Sequence, residues 1–300
     1  MKYLVTILTT GNNPELVINE SKFEQLKKAK ECLSEILSFE EKYELLLSNY
    51  MELEKECLLI SAQKMVYEDN EYMNFFDIKL LFNQRIVNLL TTSRLYIDQL
   101  SQHIKACNLN IDIKSFFSYE YDNNFEYRFM EALRNYVQHR GLAVHFTSIG
   151  TNWTSLDDDG EMQFKTRVYT KKDEVEKDSA FKKSVAKEMP DKVDIIYASR
   201  SYIESISKVH CNIRKILSDV AISSRQIVEE IIHEYEKTSN GKSIGLGIVC
   251  LENNGKYDEI LDKFYITLEW DNIRIKLEKK NQSLVNLRKR FVSSSIKQDK

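Results

Sequence analysis

The run Arg134-Asn135-Tyr136-Val137-Gln138-His139 gathers the side chains that cleavage of a phosphodiester needs. An arginine presents a planar fork of N–H donors that matches phosphate oxygens. A histidine works near neutrality as acid or base. Asn135, between the two in angle, can hold a substrate oxygen or orient the imidazole. In RNA the neighbouring 2′-hydroxyl is the nucleophile, so the reaction calls for neither an external nucleophile nor a metal. Its difficulty is the charge that builds on the phosphorane-like transition state, which preorganised donors stabilise. Arg128, Gln138 and Arg140 are close enough in sequence to add substrate contacts. The bland alternative is a solvated helix face, with Arg134 and Glu131 paired at i,i+3 for about 0.2–0.5 kcal/mol.

These residues must be carried by a helix. Asp122-Asn123-Asn124 offers N-caps and Gly141 a stop, which predicts a helix over about 125–140. At ~100° per residue, Phe125, Phe129, Met130, Leu133, Tyr136 and Val137 share one side. Tyr127, Arg128, Glu131, Arg134, Asn135, Gln138 and His139 share the other. His139 falls in the last turn, where the helix dipole favours positive charge.

Around this helix the pattern is one of long helices. Apolar residues recur at helical spacing from about 15 to 69, with a break near Ser38, then over 71–107 and 191–237. Residues 113–119 read as a connector and 173–188 as helical. Only 2 prolines and 8 glycines interrupt 300 residues. Leu142–Ser148 and Glu161–Thr170 read as strands of a β-hairpin whose loop holds Asp157-Asp158-Asp159-Gly160. Residues 3–9, 243–251 and 264–270 also read as strands, with a turn at Gly11-Asn12-Asn13-Pro14 and a helix over about 280–293. The expected fold is mainly α: a bundle of long helices, a β-hairpin excursion, and a small α/β piece near the C-terminus.

An arginine, a polar residue and a histidine after a short gap, on a helix within an α-helical bundle, resembles the signature of the HEPN superfamily. Arg134, Asn135 and His139 match those positions, with four residues between Arg134 and His139. The resemblance covers some 100 to 130 residues around the motif. From this and the pattern of elements, the chain is expected to divide into a HEPN-like helical domain at 15–240, with the β-hairpin inserted around 141–172, and a remainder. The remainder, 241–300, would be the small α/β region, with the N-terminal strand 1–10 available to join it. The resemblance implies a metal-independent endoribonuclease that uses no cofactor and leaves 2′,3′-cyclic phosphate ends. Many such proteins are bacterial toxins or abortive-infection effectors in phage defence. They usually act as homodimers with facing motifs, some beside a regulatory or antitoxin protein. The alternative is a non-catalytic helical scaffold or HEPN-like binding module that pairs with a partner protein.

A net charge of −3 gives no bulk attraction to nucleic acid, but the charge is unevenly placed. Residues 15–71 carry 14 acidic and 7 basic side chains, whereas 274–300 carry nine basic and two acidic. Lys279, Lys280, Arg288, Lys289 and Arg290 are therefore expected to help hold RNA. A solvated, lysine-rich helix end is the competing reading. The five cysteines are scattered with no CxxC pair, which fits reduced thiols and a cytoplasmic location. No run of ~18 apolar residues predicts a membrane span.

Other motifs weigh less. His103, His210 and His233 stand alone on helical stretches; Cys107 follows His103 at i+4, with nothing to complete a zinc site. Gly241-Lys242-Ser243 has the end of a P-loop, but Glu236 occupies the place of the upstream glycine. His145 reads as a packing or surface residue, and Trp153 and Trp270 as core or sheet residues.

Overall fold

A computed structural model describes residues 1–9, 13–67, 72–156, 160–253 and 258–292. Gly11, Asn12, the aspartates 157–159, Lys297 and Lys300 lie outside the described residues. The fold is mainly α, with two small antiparallel sheets. Among the described residues the helices are α1 (Glu20–Val66), α2 (Tyr72–Ala106), α3 (Ile113–Asn123), α4 (Phe125–His139), α5 (Lys172–Val175), α6 (Lys183–Glu188), α7 (Ile195–Thr238) and α8 (Glu269–Lys280). The strands are β1 (Lys2–Ile7), β2 (Leu16–Ile18), β3 (Phe146–Trp153), β4 (Met162–Lys171), β5 (Lys192–Asp194), β6 (Leu246–Asn253) and β7 (Asp258–Tyr265).

The chain divides into two compact units. One gathers Met1–Lys42, Gln99–Ile111 and Asn212–Gln282. Its sheet has the order β2-β1-β6-β7, all antiparallel, so the N-terminal strand pairs with β6 from the C-terminal region. Val5, Leu246, Ile248 and Cys250 of the sheet share a core with Phe23, Leu26 and Leu33 of α1 and with Val228, Ile231 and Tyr235 of α7.

The other unit gathers Tyr43–Asp98, Asp112–Cys211 and Ser283–Lys300. Its helical segments lock together through polar contacts that are half-buried or buried. Arg85 of α2 reaches Glu56 of α1 at 2.6 Å, and Arg200 of α7 grips Glu54 with two 2.6 Å bonds. Tyr43 stacks on the fully buried His210, whose Nδ1 meets the Tyr96 hydroxyl at 2.8 Å. The second sheet, β3-β4-β5, belongs to this unit. The Ser61 hydroxyl of α1 meets Thr166 Oγ1 of β4 at 2.9 Å.

Several elements differ from expectation for local reasons. The first helix begins at Glu20, because Leu16–Ile18, with β-branched Val17 and Ile18, adds a strand to β1 and Asn19 Oδ1 caps α1 by accepting the Lys22 amide at 2.8 Å. It does not break near Ser38: Ile36, Phe39 and Tyr43 continue its buried stripe. The connector at 113–119 is part of a helix, α3, that buries little beyond Ile113 and Glu120 and so shows no clear period. The stretch 173–188 holds two short helices, and 192–194 is a strand before α7. The last strand ends at Tyr265, and helix α8 follows at 269–280. A single 3-10 turn, Leu287–Lys289, stands in the region expected to be helical over 280–293. Asn240 and Gly241 both have positive φ and end α7, as their turn chemistry predicts.

Candidate functional site

Helix α4 is fixed at both ends. At its start, Asn124 Oδ1 accepts the Tyr127 amide, while its Nδ2 donates to Ser201 and Ser205 of α7 at 3.0 Å each. Phe129, Met130 and Leu133 are wholly buried. Tyr127, expected on the polar side, is buried as well, because its ring packs on Tyr202 of α7 at 5.0 Å. At the far end, Asn135 Nδ2 donates to the Ala180 carbonyl at 2.6 Å, and Arg140 lies 3.5 Å from Asp178. The segment between α5 and α6 thus clasps the last turn of α4.

The motif residues form two i,i+4 pairs, Arg134 with Gln138 and Asn135 with His139, about 100° apart around the helix. Arg134 pairs with Gln138: its NH1 donates to Gln138 Oε1 at 3.0 Å. Its NH2 lies 3.4 Å from Glu131 Oε2, and the other oxygen of Glu131 accepts the Tyr202 hydroxyl at 2.6 Å. The Arg134 Nε is buried with no partner among the described residues. Asn135 and His139 make the second pair, and both are exposed. The His139 imidazole forms no hydrogen bond or ion pair among the described residues.

Arg128 is committed elsewhere. Its guanidinium donates to the Tyr121 and Asp122 carbonyls and pairs with Glu188 at 2.6 Å, which ties the end of α3 and α6 to α4. A cavity of about 290 Å³ opens beside Glu131 and Tyr127, between Arg94 and Tyr121. It adjoins the start of α4, whereas His139 is at its end.

The basic segment is divided between the units. Lys279 and Lys280 end α8 in the first unit; Arg288, Lys289 and Arg290 belong to the second, with α4. Arg290 is partly committed, since its NH2 donates to the Val285 carbonyl and its own carbonyl accepts from Arg200.

Two histidines outside the motif are held tightly. His145, just before β3, has its Nδ1 accepting the Lys171 amide at 3.2 Å and its ring 6.3 Å from that of Tyr136. Burial pushes its imidazole below the usual range. In the first unit, His103 spans Glu35 and Lys42 at 2.6 Å each, and burial again lowers its pKa. Both ring nitrogens are therefore taken, and Cys107 Sγ turns to the Cys32 carbonyl at 3.6 Å instead. Trp270 packs on the first unit's core, but Trp153 is 55% exposed near the end of β3, beyond the part of the hairpin that α1 covers.

Sequence reading passed over one group of side chains. Along β4, polar or basic Gln163, Lys165, Arg167 and Lys171 alternate with Met162, Phe164, Val168 and Thr170. That period of two was legible, and it sets a basic face against a buried one. No known family model, no characterised protein and no solved structure matches this chain.

Proposed function

We propose that this chain is a metal-independent endoribonuclease of the HEPN type, acting as a homodimer in the cytoplasm, with a role as a bacterial toxin or abortive-infection effector. The observation that carries the reading is the exposed end of α4, where the partner-free imidazole of His139 stands beside Asn135. In this reading the 2′-oxygen attacks phosphorus, its proton passes to a histidine, and the bond to the 5′-oxygen breaks as that oxygen takes up a proton. One chain supplies one motif histidine; a second copy facing it supplies the other. Arg134 stabilises the phosphate charge and Asn135 positions the substrate. Arg134 is available for this if exposed Gln138 swings away, leaving Glu131 in place.

A second reading, a non-catalytic binding module, draws on one observation. Arg134 already satisfies Glu131, and Glu131 already satisfies Tyr202, so this part of the motif does structural work without a ligand. Cleavage of a mixed RNA by wild type and His139→Ala in EDTA separates the two. The ribonuclease reading expects cleavage by wild type alone, with 2′,3′-cyclic phosphate ends. Equal cleavage by both proteins, or by neither, removes it.

A further inference from the structure

The outer face of the β3-β4-β5 sheet has a chemistry unlike the rest of its unit. Directly paired residues of antiparallel strands share a face, so the register puts Phe146, Tyr169 and Asp194 together. Lys171 and Lys192 sit in the next rank, and Arg167 and Lys165 continue along β4 at steps of ~6.8 Å. The opposite face carries Val168 and Thr170, both fully buried, and Thr166, which bonds α1. The first face looks to solvent: Lys165, Arg167, Lys192 and Phe146 are exposed.

Its aromatics and cations are already arranged for a ligand. The Phe146 ring stacks on Tyr169 with centroids 5.9 Å apart and planes 27° apart. The Lys192 ammonium lies 4.6 Å from the Tyr169 centroid and 5.6 Å from that of Phe146, and Lys171 lies 5.9 Å from Phe146. None of Lys165, Lys171 and Lys192 forms an ion pair among the described residues. Asp194, the acidic residue at these register positions, is engaged on α7: its carboxylate accepts the Ile196 and Tyr197 amides at 3.0 and 3.2 Å, and Arg167, which bonds Tyr169, also feels its charge. Across the hairpin, a Cβ built on Gly150 would meet nothing within 4 Å, so the backbone there is open to close approach.

We propose that this face is a binding platform for single-stranded RNA, with Phe146 stacking a base and Lys165, Arg167, Lys171 and Lys192 tracking the phosphates. An exposed ring flanked by cations, three of them lysines without an ion pair among the described residues, is the combination that single-stranded nucleic acid recognises, because every base has a π-face and every linkage a negative charge. His145, one residue before Phe146, has its ring 6.3 Å from that of Tyr136 on α4, so the sheet and the motif helix belong to the same unit. The proposal deepens the ribonuclease reading, and rests on it for the sense of binding RNA there.

The test is fluorescence anisotropy of a labelled single-stranded RNA dodecamer with full-length His139→Ala protein, which keeps the probe intact. Binding is expected to weaken as salt rises, with a log–log slope of about −2 to −3 for three or four phosphates. Lys171→Glu with Lys192→Glu should weaken it at least about tenfold and flatten that slope, and Phe146→Ala about fivefold or more. Phe146→Trp should retain binding, and circular dichroism of each variant shows that the fold persists. Unchanged RNA affinity in the folded charge-reversal protein overturns the platform. So does equal displacement of the RNA by an acidic polypeptide together with a silent Phe146→Ala, which would make the face a protein contact. RNA binding that the platform variants lose, beside a wild type that cleaves nothing, sinks the cleavage reading and leaves the platform standing. Cleavage and binding by the platform variants at wild-type levels does the reverse.

Discussion

The Nδ1 of His145 accepts the Lys171 amide, so the folded chain holds the tautomer protonated on Nε2. Protonating Nδ1 would set one N–H against another. Burial, with Lys79 and Lys171 nearby, holds the imidazole neutral; Glu174 and Asp173 pull the other way and lose. A histidine whose folded pKa lies below its unfolded value of about 6.5 contributes fully above that value, and the contribution is lost as pH falls through it toward the folded pKa. His103 shifts in the same direction, again through burial first. The urea midpoint is therefore expected to fall as pH drops from roughly 7 to 5. His145→Gln, whose amide oxygen can still accept the Lys171 N–H without titrating, should flatten part of that decline. An unchanged pH slope in that variant would show that His145 does not report on folding. At this scale the sequence reveals which residues share a helix, since Arg134 to His139 are numbered along α4. It does not reveal partners: Glu131 meets Tyr202 and Asn135 meets Ala180 across 71 and 45 positions.

Helix α8 shows why some elements escaped the period-based reading. Helices α1, α2 and α7 announce themselves by long buried stripes, and the motif helix by its caps. In α8 the buried residues are Asp271 and Arg274, so hydrophobic spacing says nothing about it. Electrostatics anchors it instead. The fully buried Asp271 carboxylate takes two bonds from Arg274, at 2.5 and 2.9 Å, and one from Arg225 of α7 at 2.6 Å; Arg274 also reaches Glu278 at 2.7 Å. Desolvating such a group is costly, and removing one partner strands the others. Asp271→Ala is expected to cost about 3–5 kcal/mol, because Arg274 stays buried with only Glu278 to meet it. Asp271→Asn, which keeps the shape and loses the charge, should also destabilise, by less. Chemical denaturation measures both. Less than about 1 kcal/mol for the alanine variant would mean that α8 is held mainly by apolar packing of Trp270 and its neighbours. The hairpin, by contrast, was readable in part: β4 alternates in the period of two, whereas β3, expected over Leu142–Ser148, shows no alternation and runs Phe146–Trp153.

Over the whole chain, the pairing of β1 with β6 joins residues 2–7 to residues 246–251, where the sequence offered only a strand available to the C-terminal piece, without partner or register. No local pattern carries a contact of that separation; a strand can be read from its composition, but its neighbour cannot. The pairing closes the first unit. Val5 is fully buried and lies opposite Ile248, and both share the core with α1 and α7. Removing residues 1–18 takes away β1 and β2, strips one side of β6 of its hydrogen bonds, and uncovers Leu246, Ile248 and Cys250. The truncated chain is expected to unfold at a clearly lower temperature, and limited proteolysis should cut first between residues 243 and 268. Val5→Ala gives a graded version: losing two buried methylenes' worth of apolar volume costs about 2 kcal/mol once the cavity is included. If instead the truncated protein keeps the wild-type melting temperature and resists protease within 243–268, the strand is an accessory to a sheet that stands without it. In that case α1 and α7, and not β1, hold β6 in place.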